Sequence, residues 1–535
     1  MFYRVTVKDN GMGMPHNDIP RMMGIVLSST KYGVKQNRGR FGLGAKMALI
    51  WSKMTTALPI TIRSCCKGKP VSHYDLDIDI RKNEPRIMKN EQLPNNDWHG
   101  TEITLTIEGS WSKYGARVLK YLRQMAVITP YAEFSLSYES ETSSKSVKQI
   151  YERRSDKMPP CPTYVKHHPS SVNLVEIKNL IEGTKNQDVT LDKFLMKEFD
   201  KIDKGTANKI IEKMEKHGYQ SSLQISRLTT NELRKLEQIF RGVDFPPPDG
   251  KCLSPAGEYN LRLGIQQQVE PQYIATYSDK PKVLDGHSFI VEAGVAIGGN
   301  DATKPGITVY RFANRIPMLF EGGSDVVTRC ANKFNWSSYK IKPTTDKIAV
   351  FVSIVSTKIP FKGTSKEYIG EDGEALTHSV KYALGQCCSQ IKQKIVKAAA
   401  LSERQNRKKK LTRYIQDVSN AVFNVMSSVI EPREGESGDP IENARKRLKL
   451  SDDHVKILQD VKQKTVTLEA LRGKLSTHID QVDFEQALDY VASHGVESKN
   501  REDIFIAPFK PDTKVRTVRH PLFTFNLLDA ACVAK

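Results

Sequence analysis

Val7-Lys8-Asp9-Asn10-Gly11-Met12-Gly13-Met14 and Arg38-Gly39-Arg40-Phe41-Gly42-Leu43-Gly44-Ala45-Lys46 are the two stretches around which the rest of this sequence is organised. In the first stretch a single carboxylate, Asp9, follows an apolar run and precedes Gly11 and Gly13, so we expect a strand that ends in a tight turn beside a hydrogen-bond acceptor. A carboxylate in that position can accept the exocyclic amine of an adenine, and the glycines let the backbone approach the ring. The first stretch therefore predicts an adenine-binding turn.

The second stretch is a glycine-rich turn that runs into a helical pattern. Gly39, Gly42 and Gly44 precede a helical periodicity over 46–54, so backbone N–H groups and a helix N-terminus face the space in front of the turn. Phosphate is the usual occupant of such a site. Taken singly, each stretch has an ordinary alternative, because Asp-Asn-Gly also marks hairpins and many glycine-rich turns are plain loops. Their order and separation are more specific than either stretch alone.

Composition favours a polyanionic partner. The chain has 535 residues, with 81 Lys and Arg against 61 Asp and Glu, a formal net charge of +20 and a pI near 9.4. A basic excess of this size favours nucleic acid over a membrane surface. No apolar run reaches the length of a bilayer span and the first residues lack a signal-peptide pattern, so we expect a soluble protein that is not secreted. The length suggests roughly three or four domains.

The eight cysteines do not form a metal-binding pattern. None lies in a CxxC motif or pairs with a histidine at zinc-ligand spacing, and two adjacent pairs occur at Cys65-Cys66 and Cys387-Cys388. We therefore expect reduced, buried thiols in an intracellular compartment, and we assign no metal ligand in this chain.

Hydrophobic periodicity predicts an antiparallel sheet in the N-terminal region. Apolar alternation marks strands over 60–64, 74–80 and 100–107, a helical pattern follows over 110–129, and a further strand is expected over 131–137. Alternation in steps of two is typical of antiparallel strands with one buried face.

The remainder of the chain divides at polar and proline-rich segments. A polar stretch leads to a helical block, prolines at 246–248 form a stiff boundary, and apolar strands at 289–296, 308–312 and 348–355 precede a long helical pattern over 374–428. These features predict a first domain at 1–140, a linker at 141–173, a helical domain at 174–245, an α/β domain with a stalk helix at 250–430, and an extension at 431–535.

In this order the motifs resemble those of the GHKL ATPases, the family of gyrase B, the Hsp90 chaperones, MutL and the histidine kinases. Within it they are similar to the topoisomerase VI B subunits, in a eukaryotic, plant-like form, and the phrase Tyr310-Arg311-Phe312-Ala313-Asn314-Arg315-Ile316-Pro317-Met318 resembles their transducer domain. The resemblance implies an α/β fold of the α+β sandwich type. Its parts would be a Bergerat ATP-binding domain, a helix-two-turns-helix domain and a ribosomal S5-type transducer with a long stalk helix.

The resemblance also implies ATP and Mg²⁺ as cofactors and gives roles to the residues of the first stretch. Asp9 would bind the adenine amine, and Gly11 and Gly13 would lie against the ring. Thr101, which opens a predicted strand after Gly100, would support Asp9 through its hydroxyl. A β-branched strand residue that merely follows a turn is an equal alternative for Thr101.

The same resemblance places the phosphates against the second stretch. The segment Ser28–Gly33 looks like the lid of the nucleotide site. The residues that the family pattern would bring to the phosphates are Lys31, Gly39, Gly42, Gly44 and Lys46.

Lys358 is the residue to which the resemblance gives a catalytic role. It follows a long apolar strand, and a lysine at such a junction can pair with the terminal phosphate held by another domain. GHKL topoisomerases use a transducer lysine in this way. Lys366 is the alternative, and a solvated surface charge is the default for either lysine.

Three regions are candidates for DNA contact. Lys204 enters a helix of the helical domain, for which a compact spacer is an equal alternative. Trp336 and Tyr339 resemble a Trp-Lys-x-Tyr loop of the transducer, although serine replaces the lysine here and packing of both rings on the sheet is an alternative. Arg407 and Lys408 belong to a basic run on the stalk, which either contacts the DNA backbone or is simply solvated.

One element of the family's ATP site lies upstream of the first stretch. It is a helix that supplies a glutamate to activate water and an asparagine to hold Mg²⁺, and this sequence starts only eight residues before Asp9. We therefore expect this chain to bind adenine nucleotide but to hydrolyse ATP poorly. A shortened form of an active subunit and a B-like relative without hydrolysis both fit, and retention of Lys358 and both glycine stretches favours the first.

The resemblance implies the ATP-binding B subunit of a type IIB topoisomerase. Two B subunits would close on ATP and move two A subunits, in an A2B2 heterotetramer that passes one DNA duplex through another. The basic cluster at 445–449 suggests a nuclear location. The alternatives are a non-hydrolysing scaffold for an A-type subunit that makes meiotic double-strand breaks, and a MutL-like or Hsp90-like ATPase clamp, which the helical insert at 174–241 disfavours.

Overall fold

In a computed structural model, the described residues are 1–26, 33–39, 42, 44–94, 97–140, 146–184, 188–218, 224–300, 304–319, 323, 325–362, 368–370, 373–432, 435 and 437–479. The chain forms two compact units, Met1–Ile395 and Val396–Lys535. Among the described residues, no helix is both long and apolar enough to span a membrane.

The first layer of the N-terminal region is a five-stranded antiparallel sheet with the order β1-β5-β2-β3-β4. One face is apolar because alternate residues of β2 and β3, including Ile60, Ile62, Leu76 and Ile78, pack beneath α2 around Leu49. This sheet confirms the predicted fold class. Its elements are β1 (Phe2–Lys8), α1 (Ile19–Gly24), α2 (Gly44–Thr56), β2 (Ile60–Cys65), β3 (Val71–Asp79), β4 (Glu84–Leu93), β5 (Gly100–Glu108) and α3 (Trp111–Ile128).

A short hairpin and a helical domain follow. The hairpin pairs β6 (Phe134–Tyr138) with β7 (Val147–Tyr151). The four helices pack around a cluster of aromatic rings that includes Phe194, Phe199 and Phe240. Capping boxes start two of these helices, because Asn173 and Thr229 are each followed three residues later by a glutamate. The helices are α4 (Leu174–Glu182), α5 (Leu191–Glu198), α6 (Lys204–Glu215) and α7 (Thr230–Arg241).

The second sheet has the order β12-β11-β13-β10-β8, with β9 paired to β10. β11 and β13 run parallel, and the other pairs are antiparallel. Its elements are α8 (Glu258–Val269), β8 (Tyr273–Ser278), β9 (Lys282–Leu284), β10 (His287–Ile297), β11 (Gly306–Ala313), β12 (Ile316–Pro317), α9 (Val326–Asn332), β13 (Lys347–Ser356) and α10 (Glu374–Ile430).

The central strands β10 and β13 are buried on both faces because a helix covers each face. Leu261 and Ile265 of α8 pack against Ala349 and Phe351 on one side, and the first part of α10 covers the other side. Cys387 and Cys388 lie fully buried in that contact as free thiols, and burial raises the pKa of the Cys388 thiol to about 12.

The second unit contains the remainder of α10, α11 (Pro440–Leu448) and α12 (Asp452–Lys462). Ile441, Val455 and Leu458 form its small core. Arg472, in the next helical segment, donates a hydrogen bond from Nη2 to Asn420 Oδ1 at 3.1 Å and so attaches that segment to the stalk.

Candidate nucleotide site

Asp9 lies just past the end of β1, where the main chain of β5 holds its carboxylate. The Gly11 N–H donates to Asp9 Oδ1 at 2.8 Å, and the Thr101 N–H donates to the same oxygen at 3.2 Å. The Asp9 N–H in turn donates to Thr101 O at 2.9 Å. No described residue donates to Oδ2, so this exposed oxygen can accept the amine of an adenine.

Two glycines allow the close backbone approach that the turn requires. At Gly13, with φ +72°, an added Cβ would lie 2.1 Å from the Cys65 carbonyl oxygen. At Gly100, with φ +134°, an added Cβ would lie 2.0 Å from the Asp9 carbonyl oxygen. Any side chain at either position would push the Asp9 turn away from β2 and β5.

Ser64, which sequence reasoning missed, organises the floor of this turn. Its fully buried Oγ accepts the Met14 N–H at 2.8 Å and donates to Gly100 O at 3.0 Å. The Thr101 hydroxyl lies 3.1 Å from the same oxygen, and because the Ser64 hydrogen is already used, Thr101 donates this bond. Thr101 therefore supports Asp9 through its main chain, while its hydroxyl bonds to Ser64 instead of the carboxylate.

The phosphate loop leads into α2. Gly44 opens the helix, and among the described residues no other atom lies within 4 Å of a Cβ built on Gly39 or Gly44. A helix N-terminus of this kind suits an anion. Lys31 lies outside the described residues.

Lys46 is buried in the first turn of α2, at 2% exposure. Burial lowers the pKa of its ammonium group. A cation near a helix N-terminus opposes the helix dipole, and a polyphosphate in front of the loop would offset that cost. A phosphate-binding role for Lys46 stays a prediction.

The residues just before the phosphate loop are attached to two separate parts of the chain. The Val165 N–H donates to Val34 O at 3.1 Å, and the Gln36 N–H donates to Cys252 O at 2.9 Å. The buried Gln36 side chain also accepts the N–H of Ser254. We call residues 34–38 the strap; no local pattern in these residues indicates such contacts.

Lys358 lies two residues beyond β13 and is exposed. Its N–H donates to the Ser356 Oγ at 3.2 Å, which fixes the start of the loop that carries it. Asn314 joins the neighbouring Ser356 backbone to the strap, because its Nδ2 lies 3.0 Å from Ser356 O and 3.1 Å from Asn37 O. The end of β13 and the phosphate loop are thereby brought close together. Lys366, the alternative, lies outside the described residues.

The candidate DNA-contact residues occupy different environments. Trp336 is 3% exposed, its Nε1 donates to Ala331 O at 2.9 Å, and Phe334 packs edge-on against it. Burial of the ring in the core favours packing, the alternative given for this loop, over contact with DNA. Tyr339 is partly buried and stacks on Phe334 with ring centres 5.5 Å apart.

The basic candidates are exposed. Lys204 is the first residue of α6, next to the N-cap Asp203. Arg407 and Lys408 lie on α10 in the second unit. Their contact with DNA stays a prediction.

Two family models match the chain. Residues 3–103 match the family described as "Histidine kinase-, DNA gyrase B-, and HSP90-like ATPase", and residues 248–408 match "Topoisomerase VI B subunit, transducer". The first match contains Asp9, the phosphate loop and Thr101, and the second contains Asn314 and Lys358.

Similarity to curated relatives extends over nearly the whole chain. The B subunit of DNA topoisomerase 6 from Arabidopsis thaliana is 50% identical over 531 residues, which are 98% of this chain and 77% of that protein. The protein of the same name from Oryza sativa subsp. indica is 48% identical over 530 residues, 98% of this chain and 74% of that protein. The B subunit of type 2 DNA topoisomerase 6 from Saccharolobus islandicus is 36% identical over 432 residues, 80% of this chain and 79% of that protein.

Proposed function

This chain belongs to the topoisomerase VI B-subunit family, and on that premise we propose that it is the ATP-binding subunit of a type IIB DNA topoisomerase. The observation that carries the proposal is the direct connection of a nucleotide site to the second sheet. Asp9 offers a free carboxylate oxygen for adenine, and the strap before the phosphate loop is hydrogen-bonded through Asn314 to the end of β13. Binding of ATP at this site can therefore act on the transducer domain.

The partners follow from the same premise. A B subunit acts with an A subunit and DNA, and the net charge of +20 suits a DNA-binding assembly. The finer assembly is part of the proposal: two copies of this chain close on ATP and, with two A subunits, form an A2B2 heterotetramer. Lys358 pairs with the γ-phosphate in the closed state, and Lys366 is the alternative for this role. Lys204, Arg407 and Lys408 supply phosphate contacts to DNA.

Magnesium belongs to the proposal as the usual companion of ATP in GHKL domains. It would neutralise charge on the phosphates beside Gly39, Gly42 and Gly44. We assign neither its protein ligand nor the water-activating base to a residue of this chain.

A nuclear location is also proposed. It rests on the basic cluster at the end of α11, where Lys446, Arg447 and Lys449 are exposed while Arg445 pairs with Asp452 at 2.5 Å.

DNA cleavage in the presence of an A subunit tests the proposal. The chain is mixed with an A subunit and supercoiled plasmid, with or without a non-hydrolysable ATP analogue, because the response then depends on nucleotide binding and not on turnover. We expect double-strand cleavage that requires the analogue. Cleavage that is independent of nucleotide would instead favour the scaffold alternative. Failure to bind any A subunit would contradict the proposal and favour a MutL-like or Hsp90-like clamp.

A further inference from the structure

The geometry points to Asn314 as a positioning residue that couples the phosphate loop to the end of β13. This inference rests on the proposed function and deepens it, because it concerns the route by which bound nucleotide reaches the transducer. The inference rests on the contacts of the strap (residues 34–38), which neither the nucleotide-binding motifs nor the transducer motif predicts.

A tight hairpin turn fixes the backbone of Asn314. Asn314 and Arg315 have φ values of +50° and +65°, and Ala313 pairs with Ile316 on either side of them. Two consecutive residues with positive φ between paired strands form a type I′ turn, in which asparagine is favoured. The turn thus sets the direction of the Asn314 side chain before any contact across the domain boundary is made.

Every hydrogen-bonding atom of the Asn314 amide is used. Oδ1 accepts the Ser356 N–H at 2.9 Å, and Nδ2 donates to Ser356 O at 3.0 Å and to Asn37 O at 3.1 Å. The side chain is 8% exposed. A rotated amide would set its oxygen against two carbonyl oxygens, so only one orientation satisfies the site. Asn314 therefore links the strap and β13 in one defined arrangement.

The next residue of the turn strengthens this link. Arg315 Nη1 donates to the Tyr131 hydroxyl at 2.7 Å, and the Arg38 guanidinium lies near both Tyr131 and Arg315. Burial and the like charge of Arg315 lower the pKa of Arg38. Both strap residues that immediately precede Gly39 thus interact with this turn or with its partner Tyr131. A shift of the phosphate loop must carry this turn with it or break these bonds.

The link continues to the lysine loop. Ser356 is the last residue of β13, and its Oγ accepts the Lys358 N–H at 3.2 Å. Ordering of the phosphate loop by nucleotide would hold Asn37 in place, keep Asn314 bonded, and so stabilise the segment that presents Lys358. A buried and fully bonded amide has two discrete states, bonded and broken, which is what transmission between domains requires.

Two substitutions of Asn314 and one control variant test whether Asn314 transmits the nucleotide response to β13 or only holds the two segments together. Asn314→Gly removes the side chain but keeps a residue that accepts positive φ. Asn314→Asp keeps the acceptor for Ser356 N–H and places an oxygen against the carbonyls of Asn37 and Ser356. Asn37→Ala is the matched control, because it retains the carbonyl that Asn314 contacts and removes only a local bond from Asn37 Nδ2 to Lys35 O at 3.2 Å.

Hydrogen exchange of the full chain with a non-hydrolysable ATP analogue is the test. In the wild type and Asn37→Ala, the analogue should slow exchange both in peptides covering 33–39 and in peptides covering 354–361. In both Asn314 variants, slowing should persist at 33–39 with unchanged nucleotide affinity, while the slowing at 354–361 falls by on the order of five- to tenfold, the factor that one hydrogen bond typically contributes.

Two outcomes overturn the inference. If both Asn314 variants keep the full slowing of exchange at 354–361 on nucleotide binding, Asn314 only holds the strap against β13 and transmits no response. No response at 33–39 in the wild type would contradict the proposed function itself, and the inference with it, so the two failures are distinguishable.

Discussion

The main chain of Thr101 holds the carboxylate of Asp9, through a donated N–H at 3.2 Å and a carbonyl that accepts the Asp9 N–H at 2.9 Å. The pair fixes the end of β1 against the start of β5, so one carboxylate oxygen is occupied and the other has no donor among the described residues. The adenine-binding character of this turn depends on backbone geometry more than on the threonine side chain.

Substitution of Ser64 should therefore disturb the nucleotide turn more than substitution of Thr101. Ser64→Ala leaves the buried Met14 N–H without an acceptor, at a cost of about 1–3 kcal/mol, whereas Thr101→Ala removes one hydroxyl contact worth about 1 kcal/mol. Thermal denaturation and ATP titration of both variants check this order. A larger loss of ATP affinity in Thr101→Ala than in Ser64→Ala would show that the hydroxyl acts on the ligand.

The pH dependence of stability should carry a contribution from Lys46. Burial lowers the pKa of Lys46 in the folded chain below the unfolded value, so the unfolded state binds more protons between the two values. The free energy of unfolding then rises as pH increases through that window towards about 10.5, the ordinary value of a lysine. Denaturant unfolding at several pH values should show a steeper rise for the wild type than for Lys46→Met. If the free energy of unfolding depends on pH in the same way in the wild type and in Lys46→Met, the Lys46 ammonium does not have a lowered pKa in the folded chain.

The assignment of the γ-phosphate lysine can be tested by paired substitutions. Lys358→Met should leave ATP affinity close to that of the wild type, because Lys358 acts only when the domains close, and should abolish nucleotide-dependent DNA cleavage with an A subunit. Lys366→Met is the companion variant. If Lys366→Met, and not Lys358→Met, loses nucleotide-dependent DNA cleavage, Lys366 is the lysine that pairs with the γ-phosphate.

Trp336 should matter for stability and not for DNA affinity. Trp336→Ala removes a buried ring and should cost about 3–5 kcal/mol of unfolding free energy. The milder Trp336→Phe should stay folded and bind duplex DNA as the wild type does, whereas Arg407→Ala with Lys408→Ala should weaken binding and reduce its salt dependence. Fluorescence anisotropy with labelled duplex across a salt series measures both effects. Weaker DNA binding by a folded Trp336→Phe variant would show instead that the loop containing Trp336 contacts DNA.

Local patterns explain why much of the fold could be predicted from the sequence. Alternation identified β2, β3 and β5, and the mainly apolar strands β10 and β13 indicated a further α/β domain. The strand β4 was missed because it is an edge strand with mostly exposed residues and no alternation. The strand β7 was missed because its residues Val147–Tyr151 lie in a polar segment with the composition of a linker.

The contacts that complete the site join residues that are far apart in the sequence, so no local sequence pattern indicates them. Ser64 meets Met14 across 50 positions, Gln36 meets Ser254 across 218, and Asn314 meets Asn37 across 277. The motif containing Asn314 was visible as a resemblance, but its partner could be identified only after the two sheets were folded. At Trp336 the motif left both DNA contact and packing on the sheet open, and the structure places the ring in the core.

Equilibrium binding of ATP to this chain, as wild type, Asp9→Asn and Glu84→Gln, tests the central claim most directly. Glu84 is an exposed carboxylate on β4, at the opposite edge of the same sheet, and serves as the matched control. We predict that the wild type and Glu84→Gln bind ATP alike and that Asp9→Asn binds about tenfold or more weakly, because it loses a charged acceptor for the adenine amine. Equal affinity of Asp9→Asn and wild type, or no binding by the wild type, would contradict an adenine-binding role for Asp9.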